Sequence, residues 1–192
     1  MPISEQYQEQ VQLLMRLIPL VSKEHVFALK GGTAINLFVR DLPRLSVDID
    51  LTYVPVEERA VSLTTIDAAM RRIAEHAERR IRGAKSNLAP LRGEGAITKC
   101  VIQVGMTQVK IEVTPVLRGS AYEPELRAVS PGVEDAFGFA EMKVVSFADL
   151  YAGKSVASLD RQHPRDLLAN ECYQRTAGGL HRLSFRSQSR LS

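Results

Sequence analysis

Asp48 and Asp50 stand two residues apart in the run Leu45-Ser46-Val47-Asp48-Ile49-Asp50-Leu51-Thr52-Tyr53. Residues at that spacing on a strand share a face, so the two carboxylates project together while Val47, Ile49 and Leu51 enter the core. Two acids side by side on an otherwise apolar strand repel each other and lose solvation. A divalent cation between them relieves both costs, and hard oxygen ligands are what Mg²⁺ selects. Upstream, Lys30-Gly31-Gly32-Thr33-Ala34-Ile35-Asn36-Leu37 reads as a turn opening a short helix. Backbone N–H groups at the positive end of a helix attract anions, and Thr33 adds a hydroxyl donor there. Metal and phosphate would then share one cleft. Ser46, two residues before Asp48, lies on its face and is available to a phosphate or a metal-bound water, with Arg44 on the same side. Each half of the pattern is weak alone, since a D-x-D also occurs on solvated edge strands and a Gly-Gly pair is commonly just a turn.

The elements that must position these residues follow from periodicity. Ser4 can cap an amphipathic helix over residues 5–21, with Tyr7, Val11, Leu14, Leu17, Ile18 and Val21 on its buried side. Residues 25–29 (HVFAL) form a short apolar strand leading into the glycine turn, and a helix over 32–39 lies behind it. Pro43 ends that helix and returns the chain to the carboxylate strand. Residues 57–82 are the longest helical stretch, striped by Ile66, Met70, Ile73, Ala77 and Ile81. Residues 83–95, with Gly, Pro and Asn, read as a loop or lid. Residues 97–104 and 108–115 flank Gly105-Met106-Thr107 as a β-hairpin. Residues 118–134 read as a connecting loop, 139–145 as a short strand or turn, and a further helix begins at Asp149.

On the second hairpin strand Ile111 and Val113 face one way, and Lys110, Glu112 and Thr114 the other. An acid between Ile and Val is costly there unless it is solvated or bound to a ligand.

At 192 residues, with 45% apolar and 24% charged side chains, the chain suits one generous globular domain or a domain plus an appendage. It has no run of about 18 apolar residues and no signal-peptide pattern, which points to a cytoplasmic protein with no membrane partner. Cys100 and Cys172 are too few and too isolated for a disulfide frame or a zinc site. The net charge is +3 and the pI near 9.0. Four arginines beyond Cys172 (Arg175, Arg182, Arg186, Arg190) exceed that net charge, so the rest of the chain carries −1. A second basic cluster, Arg71, Arg72, Arg79, Arg80, Arg82, Lys85 and Arg92, either follows a phosphate backbone or is a solvated helix face interleaved with Glu75 and Glu78.

GGTAIN followed by RLSVDIDL resembles the signature of DNA polymerase β-like nucleotidyltransferases, and within them the AbiEii/AbiGii toxin family. The likeness runs from about Phe27 to Leu167. It implies an α+β fold, with a small mixed sheet flanked by helices and a C-terminal helical segment. It implies a nucleotidyltransferase core over 1–148, the start of the helical region over 149–171, and a divergent tail over 172–192. By the same likeness, KIEV supplies the third carboxylate, making Glu112 a metal ligand or general base beside Asp48 and Asp50.

The run LYAGKSVASLDRQHPRD is similar to a further part of the family pattern. It makes Lys154 the lysine that reaches the triphosphate and Asp166 a group that supports the catalytic centre, with Arg161 and Arg165 nearby. A salt-bridged helix is the plain alternative for these four, and His163 before Pro164 reads as structural. Lys30, Gly31, Gly32, Thr33, Ser46, Lys154 and Arg161 would hold the nucleotide.

The resemblance further implies two Mg²⁺ ions, an NTP donor, an RNA acceptor such as the 3′ end of tRNA, and an AbiEi-like antitoxin. Protein nucleotidylylation, a kinase-like transfer, or an inactive nucleotide- or RNA-binding remnant are the competing readings. Beyond the R-D pair the chain departs from the family pattern into an Arg/Ser-rich tail. We expect that tail to be disordered and to reflect a frame shift near codon 172.

Overall fold

A computed structural model describes residues 5–39 and 46–152, with backbone only at 116–118. Arg44, Lys154, Arg161, His163, Arg165, Asp166 and the tail 172–192 lie outside the described residues. The chain divides into two compact units, Met1–Ser146 and Phe147–Ser192. In the second, residues 147–152 are helical and the rings of Phe147 and Tyr151 stack with centroids 4.3 Å apart.

The first unit is built on a seven-stranded mixed sheet. Its strands are β1 (Phe27–Lys30), β2 (Ile49–Tyr53), β3 (Ala84–Pro90), β4 (Ile97–Val104), β5 (Thr107–Arg118), β6 (Glu125–Ala128) and β7 (Glu141–Val144). They are ordered β3-β4-β5-β2-β1-β7-β6. Two neighbouring pairs, β2 with β5 and β1 with β7, run parallel, and the other four are antiparallel. The helices are α1 (Glu5–Val21), α2 (Gly31–Ala34), α3 (Arg59–Arg80) and α4 (Pro131–Phe137). None of the described helices is long and apolar enough to cross a membrane.

Helix α1 forms over the expected residues because its apolar side is continuous. Tyr7, Val11, Leu14, Leu17, Ile18 and Val21 are all buried, and Leu13, Met15 and Leu20 widen that side. The α3 stripe likewise buries Ile66, Met70, Ile73 and Ala77, with Ile81 just past the last turn. Carboxylates tie this helix to its surroundings. Glu24 accepts hydrogen bonds from Arg72 Nε and Nη2 at 2.9 and 2.7 Å, and Glu78 accepts the Ser86 backbone N–H at 2.8 Å.

Three expectations need correction. Residues 83–95 are not wholly a loop or lid: 84–90 form edge strand β3, paired antiparallel with β4 from Ala84↔Val104 to Pro90↔Ile97, and the turn is confined to 91–95. Its composition is poor for a strand, so partner pairing and an edge position that tolerates Pro90 decide the outcome. Residues 118–134 are not wholly loop, since β6 pairs with β7 and α4 starts at Pro131. The sheet is mixed, as expected, and these two segments supply its outer strands. The helix expected over 32–39 starts one residue earlier and continues from α2 as a π-helical turn, Ile35–Val39.

Cys100 is fully buried on β4, and burial pushes its thiol up to about 12, as befits a structural side chain. In the basic cluster, Arg71, Arg72 and Arg79 pair with Asp67, Glu24 and Glu75, which is how a charged helix face behaves.

Candidate active site

The carboxylate strand alternates as its sequence demands. Ile49 and Leu51 of β2 and Ile111 and Val113 of β5 are buried, leaving the intervening residues on the opposite face. Because β2 and β5 pair in parallel with Ile49↔Ile111 and Asp50↔Glu112, the two acids stand side by side. The same register continues outward: Lys30 of β1 is the partner of Asp50, and Lys99 of β4 is the partner of Glu112. Across four strands the row therefore reads Lys99, Glu112, Asp50, Lys30. Asp48 lies just before β2, and its carboxylate meets Lys110 Nζ at 3.3 Å.

The glycine turn abuts this row. Gly31 has φ +77°, and a Cβ there would come 2.6 Å from Asp50 Oδ2. A Cβ on Gly32 would come 2.7 Å from Ser46 Oγ. Glycine at both positions is thus what allows the backbone to pass against the acidic strand. Thr33 is fully buried and its hydroxyl donates to the Asp48 carbonyl at 2.5 Å, with Ser46 Oγ at 3.3 Å. Its hydroxyl is therefore committed to holding the chain at Asp48, a different use from the expected phosphate donor.

The electrostatics of the face are unsettled. Burial pushes the Asp50 carboxyl above its usual range; Lys110 and Lys30 oppose that shift, and Asp48 and Glu112 add to it. Burial pulls the Lys30 ammonium below its usual value, against Asp50 and Glu112. Glu112 is pushed up by burial but ends below the usual carboxylate range, because hydrogen bonds and charge from Lys110 and Lys99 outweigh it. Lys110, partly desolvated, is held above its usual value by Glu112 and Asp48.

Lys110 Nζ lies 3.1 Å from Glu112 Oε2, and Lys99 Nζ 3.3 Å from Glu112 Oε1. Neither lysine was singled out from the sequence. Lys110 is two residues from Glu112 and so visibly on its face, but its proximity to Asp48 depends on the β2–β5 pairing.

Among the described residues no three acidic, imidazole or thiol groups converge into a ready metal cage. The donor chemistry nevertheless suits a hard divalent cation: three carboxylates share one face, and two of them already grip a cation, the Lys110 ammonium. A cavity of about 710 Å³ opens elsewhere, against α3, lined by Arg59, Leu63, Asp67, Arg71 and Glu94. Its ions are paired with one another, Arg59 with Glu94 and Arg71 with Asp67, so it offers a ligand little charge.

The fold has a solved counterpart. It matches MenT4, nucleotidyltransferase toxin Rv2826c from Mycobacterium tuberculosis H37Rv, with a TM-score of 0.52 and 19% identity over 77% of this chain and 50% of that one. The chain thus spans about half the length of that toxin. A family model described as nucleotidyl transferase AbiEii toxin, type IV toxin–antitoxin system, matches residues 12–168. The chain belongs to the AbiEii family. That match starts inside α1, upstream of the motif likeness. No curated protein matches the chain.

Proposed function

We propose that the chain is a Mg²⁺-dependent nucleotidyltransferase that moves NMP from an NTP to a hydroxyl of an RNA acceptor such as the tRNA 3′ end, acting as the toxin of a type IV toxin–antitoxin pair. The observation that carries this reading is the side-by-side register of Asp50 and Glu112, with Asp48 on the same face and the Gly31-Gly32 turn packed against it. Asp48, Asp50 and Glu112 would hold two Mg²⁺ ions, which when bound acidify the acceptor hydroxyl and offset charge on the pyrophosphate leaving group.

The chain's own residues do the rest. Backbone N–H groups of Gly31 and Gly32, the Ser46 hydroxyl and the half-buried Lys30 ammonium bind the triphosphate, with Lys154 and Arg161 assigned to it by family likeness. Thr33 keeps Asp48 in place through its backbone, and Asp166, also by likeness, supports the catalytic groups. The acceptor oxygen forms a bond to the α-phosphorus as the α–β bridging P–O bond breaks. Pyrophosphate leaves, and the hydroxyl proton passes to water. The family description supports an antitoxin partner, and we assign an AbiEi-like protein to that role.

The test is incubation with each NTP labelled in turn at the α- or γ-phosphate, with Mg²⁺, and tRNA and protein supplied separately. Transfer of α-label to tRNA that disappears in Asp50→Asn is expected. Transfer of γ-label, or of α-label to protein alone, would replace the RNA nucleotidyl reading with one of its competitors. Nucleotide binding without any transfer would leave the inactive remnant.

A further inference from the structure

Six charged side chains of the described residues meet on the β4–β5–β2–β1 face, and their signs balance: Asp48, Asp50 and Glu112 against Lys30, Lys99 and Lys110. The lysines are not bystanders. Lys110 bridges Asp48 at 3.3 Å and Glu112 at 3.1 Å, while Lys99 holds the other oxygen of Glu112 at 3.3 Å. Both oxygens of Glu112 are thereby engaged by ammonium groups.

This balance has opposite consequences for the two kinds of ligand the site would take. A divalent cation arriving alone must displace Lys110 from its acids and leaves the face with surplus positive charge. A triphosphate arriving alone meets three carboxylates. Together their charges largely cancel, and the displaced ammoniums acquire phosphate oxygens as neighbours.

We propose that Lys110 is a resident counter-ion that keeps free divalent cations out of the site, so that metal and nucleotide enter as a unit and each strengthens the binding of the other. The inference rests on the nucleotidyl-transfer reading of this face and adds a binding order to it. Because linkage is reciprocal, the factor by which nucleotide tightens metal is the factor by which metal tightens nucleotide.

The experiment is Mn²⁺ binding to the full chain, followed by electron paramagnetic resonance of the free ion, with and without non-hydrolysable analogues of the four NTPs. For the wild type we expect weak Mn²⁺ binding alone and roughly tenfold tighter binding with the preferred analogue. Lys110→Met should bind Mn²⁺ alone about tenfold more tightly than wild type and show a smaller nucleotide effect. Lys110→Arg, which keeps the charge, should behave as wild type.

Lys99→Met, which frees only one oxygen of Glu112, should give a smaller shift in the same direction and serves if Lys110→Met fails to fold. Wild-type and Lys110→Met chains with equal affinity for Mn²⁺ alone would overturn the counter-ion role. Provided Asp50→Asn still abolishes binding, the site itself would survive that result. Mn²⁺ binding that Asp50→Asn leaves untouched would remove the site reading and this inference with it.

Discussion

Along α3 the charges are matched one to one, whereas on the β4–β5–β2–β1 face they are shared. Glu24 takes Nε and Nη2 of Arg72, Asp67 takes Arg71, and Glu94 takes Arg59. The pairing shows in the ionisation: the Arg71 hydrogen bond and charge hold Asp67 below the usual carboxylate range, and Arg59 does the same for Glu94. On the sheet face Asp50 moves the other way, driven up by burial, and Lys30 is driven down. In the first region folding has placed each ion where it is most comfortable. In the second it keeps a half-buried acid and a half-buried base in states they resist, which is free energy a bound ligand can recover.

The sharpest way to break that comparison is Asp50→Asn. Nucleotidyl transfer should fall about a thousandfold, the scale of losing a placed charge at a reacting centre. Thermal stability at neutral pH should stay the same or rise. A carboxyl whose folded-state pKa is raised weighs against folding once it is ionised, and asparagine removes that burden. A clear loss of stability would mean that Asp50 is a structural ion of the α3 kind.

Gly31→Ala should come next. It forces an L side chain into a positive φ and drives Cβ against Asp50 Oδ2. Urea denaturation should show a loss of about 1–2 kcal/mol, and transfer should weaken as Asp50 is pushed aside. Unchanged stability and activity would show that the close approach of turn and acid has no consequence.

The smallest effect belongs to the α3 side. Asp67→Asn should cost about 1 kcal/mol or less, given how exposed Arg71 is, and leave transfer untouched. The pH dependence follows from the depressed pKa. The wild-type contribution is complete above the ordinary carboxylate value and fades as pH falls through the lower folded-state value, so stability curves of the two chains should converge in acid. Curves that stay parallel would show that the Asp67 ion pair carries none of the difference.

Much of the frame was legible because it depends on patterns within single elements. Helix α1 spans the expected residues, and the Gly105-Met106 turn places Met106 almost wholly in solvent. What was missed depends on partners distant in sequence. Strand β3 contains Ser, Asn and Pro and became a strand only because β4 offers it a register. Lys110 stood only as an outward residue beside Glu112, and Lys99 drew no notice, because their neighbours depend on β5 lying between β2 and β4. Thr33 looked like a ligand donor, and only its burial under Asp48 revealed a hydroxyl already in use.

Local chemistry, then, was decided by the sequence alone. It specified two acids at strand spacing, a glycine pair that permits close approach, a third acid on an alternating strand, and the helices whose apolar sides build the core. Tertiary structure decided which of these charges are neighbours. Alternation sets the face a side chain takes, but strand order and register set what stands beside it, and those arise from long-range pairing that no local spacing encodes. The row Lys99, Glu112, Asp50, Lys30 exists only because the β4–β5 hairpin docked beside β2, and β2 beside β1, in that order.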